Sequence, residues 1–274
     1  MTKTVERFKN TSRRIIDGDP LVWGDLKSFF RARVKKNVAM QTSRVKQITD
    51  ETIKNYKVSR YQPPAYGLLA LVDFEYYSEQ SGVEFESAKT AFEHYKTTGA
   101  AEGLSPHRLF DPEFYAAEVS EDIVGQTPLE HFFETGGVAG FSPCAYFDCQ
   151  FYLSQYSWTA SQNPLAHYLC YGVKEGHNPF QLFDANFYVR KALNNESTRR
   201  SPVEHYMVKG WKSGINPHPL VDLEYLGAQV APEVSVGEWD VDPLLTYLRG
   251  GEGKMLSPHN LYDAHFLLPS TFRC

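Results

Sequence analysis

The stretch that decides the fold is Phe147–Pro179, which reads FDCQFYLSQYSWTASQNPLAHYLCYGVKEGHNP. Its elements recur along the chain in a fixed order: an apolar residue and an aspartate, an aromatic pair, a histidine block, a glycine and a closing proline. The aspartates that open the recurrences follow one another at steps of 36 to 41 residues, and they are Asp73, Asp111, Asp148, Asp184, Asp222 and Asp263. Because so many features keep one register, the sequence predicts a tandem structural repeat.

Each unit carries the end signals of two short helices. The opening aspartate is a residue type that caps a helix N-terminus, and Asn163-Pro164 supplies a second cap followed by proline at the first helical position. A glycine lies five residues after each histidine, which favours a left-handed residue that ends the second helix. These glycines are Gly99, Gly136, Gly172 and Gly210. Helices this short need neighbours to persist, so we expect the units to stack.

These signals predict an all-α fold, in which tandem two-helix repeats form a short solenoid over residues 64–274. The units start near residues 72, 110, 147, 183, 221 and 261. Residues 1–63 are predicted to form a separate basic helical segment, which ends at Gln62-Pro63-Pro64 because proline and the residue before it resist helix. The sixth unit reaches Cys274 after one helix at most, which predicts either a capping helix or a natural chain that continues.

Charge divides the chain near the same boundary. The formal net charge is −5, but residues 1–60 hold 15 basic and 6 acidic side chains, whereas residues 61–274 hold 13 and 27. The basic segment has apolar residues at a helical spacing between Trp23 and Val38. Two interpretations stay open: a helix that packs its apolar stripe on the acidic remainder, or a surface that binds anionic lipid, anionic glycan or nucleic acid. The candidate binding arm comprises Lys27, Arg31, Arg33, Lys35 and Lys36.

One histidine in each of four units invites a chemical interpretation, and these are His94, His131, His167 and His205. A metal site needs ligands that converge within a few ångströms, whereas equivalent residues of stacked helices lie about 10 Å apart. We therefore expect each histidine to bond a backbone carbonyl or a helix cap at the junction of two units. Thr246 replaces histidine in the fifth unit, which agrees with a local hydrogen bond. No catalytic, cofactor-binding or metal-binding residue is predicted.

Two short motifs resemble functional ones without the context that those functions need. Asp240-Val-Asp242 spells the DxD of nucleotide-sugar-dependent glycosyltransferases, which holds a divalent cation, but Asp242 is also a helix cap before Pro243. Gly250–Lys254 lacks the first glycine of a phosphate-binding loop. Four cysteines are too few and too irregularly spaced for a disulfide framework or a zinc site, so packing thiols are expected.

The pattern Phe-Asp-x-x-Phe-Tyr … Asn-Pro-Leu-x-His-Tyr-Leu-x-x-Gly-x-x-Glu-Gly-x-x-Pro resembles the tandem repeats that accompany glycosyltransferases and other surface-polysaccharide proteins in bacteria, especially alphaproteobacteria. The resemblance covers about residues 72–268. It implies a role in glycan assembly or at the cell envelope, with the repeats as an accessory region. It carries over no catalytic residue, because none of the matched positions belongs to a transferase active site. The sequence departs from such proteins in that no Rossmann-like nucleotide-sugar domain follows the repeats.

The leading hypothesis is a non-catalytic helical-repeat module that binds a polysaccharide or a protein partner in bacterial surface-polysaccharide biogenesis. One alternative is an accessory part of a glycosyltransferase whose active site lies elsewhere, and another is a structural component of a larger envelope or particle assembly. An enzymatic role is disfavoured, no cofactor is expected, and nucleic acid is a disfavoured partner. The sequence has neither an N-terminal apolar signal region nor an apolar run near the roughly 18 residues of a membrane span. We expect a cytoplasmic protein, or one peripheral to the cytoplasmic side of the envelope.

Overall fold

The computed structural model describes residues 64–119, 123–156, 162–192, 200–250 and 256–260. Within these ranges the chain is helical and has no β-strand, apart from isolated bridges at His107–Phe110 and Cys144–Phe147, so the all-α prediction is confirmed. None of the described helices is both long and apolar enough to cross a membrane. The predicted basic segment with its binding arm, and the sixth unit, lie outside the described residues.

Each of the first five units contains two α-helices, which we call its first and second helix. The first helices are α1 (Phe74–Ser81), α3 (Pro112–Val119), α6 (Cys149–Gln155), α9 (Ala185–Ala192) and α11 (Leu223–Val230). The second helices are α2 (Ala88–His94), α4 (Pro128–His131), α7 (Pro164–His167), α10 (Pro202–His205) and α12 (Pro243–Leu248). In the first four units the second helix continues as a π-helical turn, at Tyr95–Gly99, Phe132–Gly136, Tyr168–Gly172 and Tyr206–Gly210. Two short helices, α5 (Gly137–Ala139) and α8 (Val173–Glu175), follow the second and third of these turns.

Side-chain caps fix where the helices begin. The opening aspartate of every described unit accepts a hydrogen bond from the backbone N–H three residues later, at 2.8 to 3.1 Å. Thr127 and Ser201 form complete capping boxes with Glu130 and Glu204 at the starts of α4 and α10. The Asn163 side chain caps α7 by accepting from the N–H of Ala166, without a capping box. The helix starts therefore follow from local side-chain chemistry.

A backbone hydrogen bond joins the two ends of each unit. The N–H of the opening aspartate donates to the carbonyl of the closing proline of the same unit, over 2.8 to 3.1 Å in all five cases. These pairs are Asp73–Pro106, Asp111–Pro143, Asp148–Pro179, Asp184–Pro217 and Asp222–Pro258. Since the next unit begins a few residues after each proline, the bond places the start of each first helix close to the start of the following unit.

The glycine that follows each histidine is not left-handed, so that prediction was wrong. Gly136 and Gly172 have φ of −63° and −58°, which is ordinary right-handed helix, and Gly99 and Gly210 are likewise absent from the positive-φ residues. The left-handed residue comes four positions later, as in Gly140 with φ 95° and Gly176 with φ 72°. In the second and third units the helix runs on past the glycine as α5 and α8, and the glycine needs another explanation.

The core between the two helices of a unit is mostly aromatic. The second member of each aromatic pair is a fully buried tyrosine in four units: Tyr77, Tyr115, Tyr152 and Tyr188. Each meets the ring that follows the histidine of its own unit edge to face, with interplanar angles of 81° to 88°. Edge-to-face packing favours the electrostatics of both rings and buries a large apolar area. In these four units, one member of each aromatic pair therefore packs on the second helix of its own unit.

Contacts also connect parts of the chain that are far apart in sequence. The hydroxyl of Tyr66, which precedes the first unit, accepts a hydrogen bond from the backbone N–H of Asn163 in the third unit at 2.9 Å. The hydroxyl of Tyr146, at the end of the second unit, donates to the carboxylate of Asp242 in the fifth unit at 2.6 Å. Both bonds end on the residue that caps a second helix. These contacts add to the packing of consecutive units.

Candidate functional site

The four repeat histidines are bound to the buried tyrosines of their own first helices. Their Nδ1 atoms lie 2.7 to 2.9 Å from the tyrosine Oη. The pairs are Tyr77–His94, Tyr115–His131, Tyr152–His167 and Tyr188–His205. The expected partner was a backbone carbonyl or a helix cap, and the tyrosine corrects that prediction. Each imidazole therefore gives a buried phenol hydroxyl a hydrogen-bond partner.

The glycine of the π-helical turn completes this arrangement. A Cβ atom added to Gly99, Gly136, Gly172 or Gly210 would collide with the tyrosine Oη of the same unit. The glycine is required because the hydroxyl lies against the helix backbone, and not because of its own φ. We call each set of tyrosine, histidine and glycine a Tyr–His–Gly trio.

The sequence contained a signal for the Tyr–His pairing. In the fifth unit, Leu226 stands at the tyrosine position and Thr246 at the histidine position, so both partners are absent together. Leu226 is fully buried, and the hydroxyl of Thr246 donates to the carbonyl of Asp242 in its own helix. Paired loss of two side chains within one repeat indicates that they contact one another.

The third unit departs from the other trios. The Oη of Tyr152 lies 2.8 Å from Nδ1 of His167 and 3.0 Å from Nδ1 of His177, so one hydroxyl serves two imidazoles. Nε2 of His177 is 3.0 Å from the carboxylate of Glu175, and the ring of Tyr156 stacks on His177 at 3.7 Å between centroids. Burial, followed by the nearby His177, lowers the pKa of His167 to about 4. Neither His177 nor Glu175 was among the predicted candidate residues.

The second aspartate of the DxD sequence is held inside the fold. One oxygen of the Asp242 carboxylate accepts from the Tyr206 hydroxyl at 3.0 Å and from the Leu244 N–H at 2.9 Å, while the other accepts from Tyr146. Burial raises the pKa of Asp242, and these hydrogen bonds oppose the rise. Asp240, by contrast, is exposed. Both carboxylate oxygens of Asp242 thus have structural partners.

Other candidate groups are equally enclosed. Cys144, Cys149 and Cys170 are buried free thiols, and burial raises the pKa of Cys144 to about 12 and that of Cys170 to about 11. Thiols with a raised pKa are poor nucleophiles, so these three residues pack rather than react. Among the residues that the structure describes, no group of three or more His, Cys, Asp or Glu side chains could hold a metal ion.

One aromatic residue per unit remains partly accessible. The residue three positions after the aspartate is half-buried in the first four units and exposed in the fifth. We call these residues the aromatic row: Tyr76, Phe114, Phe151, Phe187 and Tyr225. The Arg108 guanidinium lies 4.3 Å from the ring centroid of Tyr76, and the Lys191 ammonium lies 4.8 Å from that of Phe187. One face of each of these two rings therefore contacts a cationic side chain.

The chain matches no protein-family model, no curated protein and no solved structure.

Substituting the trio glycine tests its role as a space for the hydroxyl. We expect Gly136→Ala to lower the free energy of unfolding by about 1–3 kcal/mol, as overpacking does, because the new methyl group collides with Tyr115. Tyr115→Phe in the same chain should recover part of that loss, since the hydroxyl is then absent. Chemical denaturation measures both effects.

Gly103→Ala is the matched control. Gly103 has φ 71° and nothing within 4 Å of its added Cβ, so only backbone strain of about 1 kcal/mol is expected, with no recovery by Tyr115→Phe. A Gly136→Ala chain that is more stable than the parent would contradict the close-approach explanation, because a helical alanine without a collision stabilises.

Removing the Tyr146 hydroxyl tests the buried carboxylate. We expect Tyr146→Phe to cost about 1.5–3 kcal/mol of unfolding free energy at neutral pH, because Asp242 loses a charge-assisted hydrogen bond. The loss should shrink as the pH falls toward 3.8, the ordinary pKa of the group, because a protonated carboxyl no longer needs the bond as strongly. Tyr225→Phe, on an exposed ring, should change the stability by less than about 0.5 kcal/mol. Equal losses in the two variants would contradict this assignment.

Proposed function

We propose that the repeat array is a non-catalytic binding module, a solenoid of stacked units that holds a neutral polysaccharide chain in bacterial surface-polysaccharide biogenesis. The observation that carries the proposal is the aromatic row. A partly or largely accessible aromatic residue recurs in all five units, although the neighbouring residue, a tyrosine in four units and Leu226 in the fifth, already supplies the core. A repeating accessible ring suits a ligand that is itself a repeating chain.

The distribution of polar groups supports binding rather than reaction. The repeat aspartates cap helices, the histidines hold buried tyrosines, and Asp242 is bound by two tyrosine hydroxyls. An acid–base pair for catalysis has to reach a substrate in a cleft. Here the repeat aspartates, the histidines and Asp242, which could act as acids or bases, are hydrogen-bonded within the fold. Each first helix presents a partly accessible aromatic ring instead.

Charge favours a neutral ligand. Residues 61–274 carry 27 acidic and 13 basic side chains, which repel phosphate backbones and anionic glycans over most of the array. The apolar faces of sugar rings stack on accessible aromatic side chains, as other flat or apolar groups do. Hydroxyl groups on the sugar would meet exposed carboxylates such as Glu75, Glu113 and Glu224 on the first helices.

Binding of neutral linear glucan oligosaccharides of increasing length tests the proposal. We expect calorimetry to give an affinity that rises with oligosaccharide length, because a longer chain reaches more units. Phe114→Ala and Tyr225→Ala should each weaken binding by about two- to tenfold, the range that corresponds to losing one aromatic contact.

Val124→Ala is the matched control, since Val124 is exposed and lies outside the aromatic row. It should leave the affinity unchanged. Binding that is unaffected by both row substitutions, or no binding of any oligosaccharide in the length series, would contradict the proposal. Capture of a protein partner through the row residues would instead support the protein-binding form of the module.

The two alternatives predict different results. An accessory part of a glycosyltransferase, with its active site elsewhere, would increase transfer from a nucleotide sugar only when a transferase domain is present. A structural component of a larger assembly would give a molar mass that grows with concentration in light scattering, whereas a binding module stays at a fixed mass.

A further inference from the structure

We propose that the third unit contains a proton-linked switch, in which the hydroxyl of Tyr152 couples protonation of His177 to the tautomer of His167. This inference goes beyond the proposed binding function and rests on the geometry of one hydroxyl between two imidazoles. The three groups lie in one chain of hydrogen bonds that begins at Glu175 near the surface and ends at the fully buried His167.

Counting protons limits the arrangements of this chain. A phenol hydroxyl has one proton to donate and lone pairs to accept, and its two partners here are both Nδ1 atoms. One Nδ1 therefore accepts the Tyr152 proton, and the other donates its own proton to Tyr152 Oη. Nε2 of His177 faces the Glu175 carboxylate at 3.0 Å, so it carries a proton in either arrangement.

Two states satisfy these limits. When His177 is neutral, its Nδ1 accepts from Tyr152, so His167 donates from Nδ1 and has a bare Nε2. When His177 is a cation, its Nδ1 donates to Tyr152, so the tyrosine proton turns to His167, which then carries its proton on Nε2. In going from the first state to the second, one proton from solution binds Nδ1 of His177, the hydroxyl of Tyr152 turns to His167, and the Nδ1 proton of His167 is exchanged for one on Nε2.

This second imidazole distinguishes the third unit from the other trios. The position of His177, five residues after the trio glycine, is Leu104 in the first unit, Phe141 in the second and Ile215 in the fourth. An apolar side chain at this position packs against the core cluster and offers the buried tyrosine of its own unit no second hydrogen-bond partner. Functional residues are expected at positions where a sequence departs from its otherwise regular pattern.

The groups around His177 set the order in which the histidines titrate. It faces Glu175 at the end of α8, Tyr152 on α6, Tyr156 just after α6, and His167 on α7. Burial lowers the pKa of His177, and Glu175 opposes the fall, whereas burial and His177 lower the pKa of His167 to about 4. Asp184 acts on Tyr156 from the start of the fourth unit. His177 thus takes the first proton while His167 stays neutral.

The switch acts on a surface element. His167 is the last residue of α7, and the π-helical turn that follows carries Tyr171, whose ring lies 5.3 Å from that of His167 and is 46% exposed. A change of tautomer at His167 alters the hydrogen bonding beneath this turn. Protonation of His177, which faces Glu175, thereby changes the hydrogen bonding next to an exposed aromatic residue.

Nitrogen NMR of the full chain labelled with ¹⁵N-histidine tests the proposal, because the two ring nitrogens report the tautomer directly. As the pH is lowered from 8 toward about 5, we expect His177 to become doubly protonated and the major tautomer of His167 to change from Nδ1–H to Nε2–H with the same midpoint.

Two variants separate the coupling from a general effect of pH. His177→Leu restores the residue of the first unit, and His167 should then keep one tautomer over the whole range. Tyr152→Phe removes the connecting hydroxyl, so His177 should titrate without any change of tautomer at His167. If His167 keeps its tautomer while His177 titrates in the parent chain, or follows His177 in Tyr152→Phe, the proposal is overturned. Should Tyr152→Phe not fold, the parent chain and His177→Leu decide the question.

Discussion

The hydrogen bond between a buried tyrosine hydroxyl and a histidine Nδ1 is the interaction on which each of the first four units depends. It joins the first helix to the second, and it is possible only because a glycine leaves room for the hydroxyl against the helix backbone. Helices of four to eight residues, such as α4 and α3, have little stability alone. Their persistence therefore comes from this bond, from the edge-to-face rings around it, and from the backbone bond that closes each unit.

These structural bonds explain why residues that look catalytic are not arranged for catalysis. Histidine, aspartate and tyrosine are the side chains of many active sites, but here they satisfy one another or a helix end. Where the repeat is regular, its polar groups have structural roles, and the rings of the aromatic row remain partly exposed. Two units depart from this arrangement, with His177 in the third and Asp242 in the fifth. Burial lowers the pKa of His177 and raises the pKa of Asp242.

The helix pairs and their starting points could be predicted from the sequence because they depend on local rules. Asp148 and Asn163 cap helices for reasons that a few neighbouring residues contain. The role of Gly136 could not be predicted in the same way, because a glycine near a helix end is compatible with both a left-handed turn and a close contact. The bond between Tyr146 and Asp242 spans 96 residues, and no local pattern encodes it. The Tyr–His pairing lies between these cases, since Leu226 and Thr246 replace both partners in one unit.

A double-mutant cycle on Tyr115 and His131 tests most directly whether the Tyr–His bond holds the unit together. The free energies of unfolding of Tyr115→Phe, His131→Ala and the double variant would be compared with that of the parent chain. The account predicts that the two losses are strongly non-additive, with a coupling energy of about 1–3 kcal/mol, because either substitution already breaks the bond. Losses that add within about 0.3–0.5 kcal/mol would show that the two side chains stabilise the unit independently, and would contradict it.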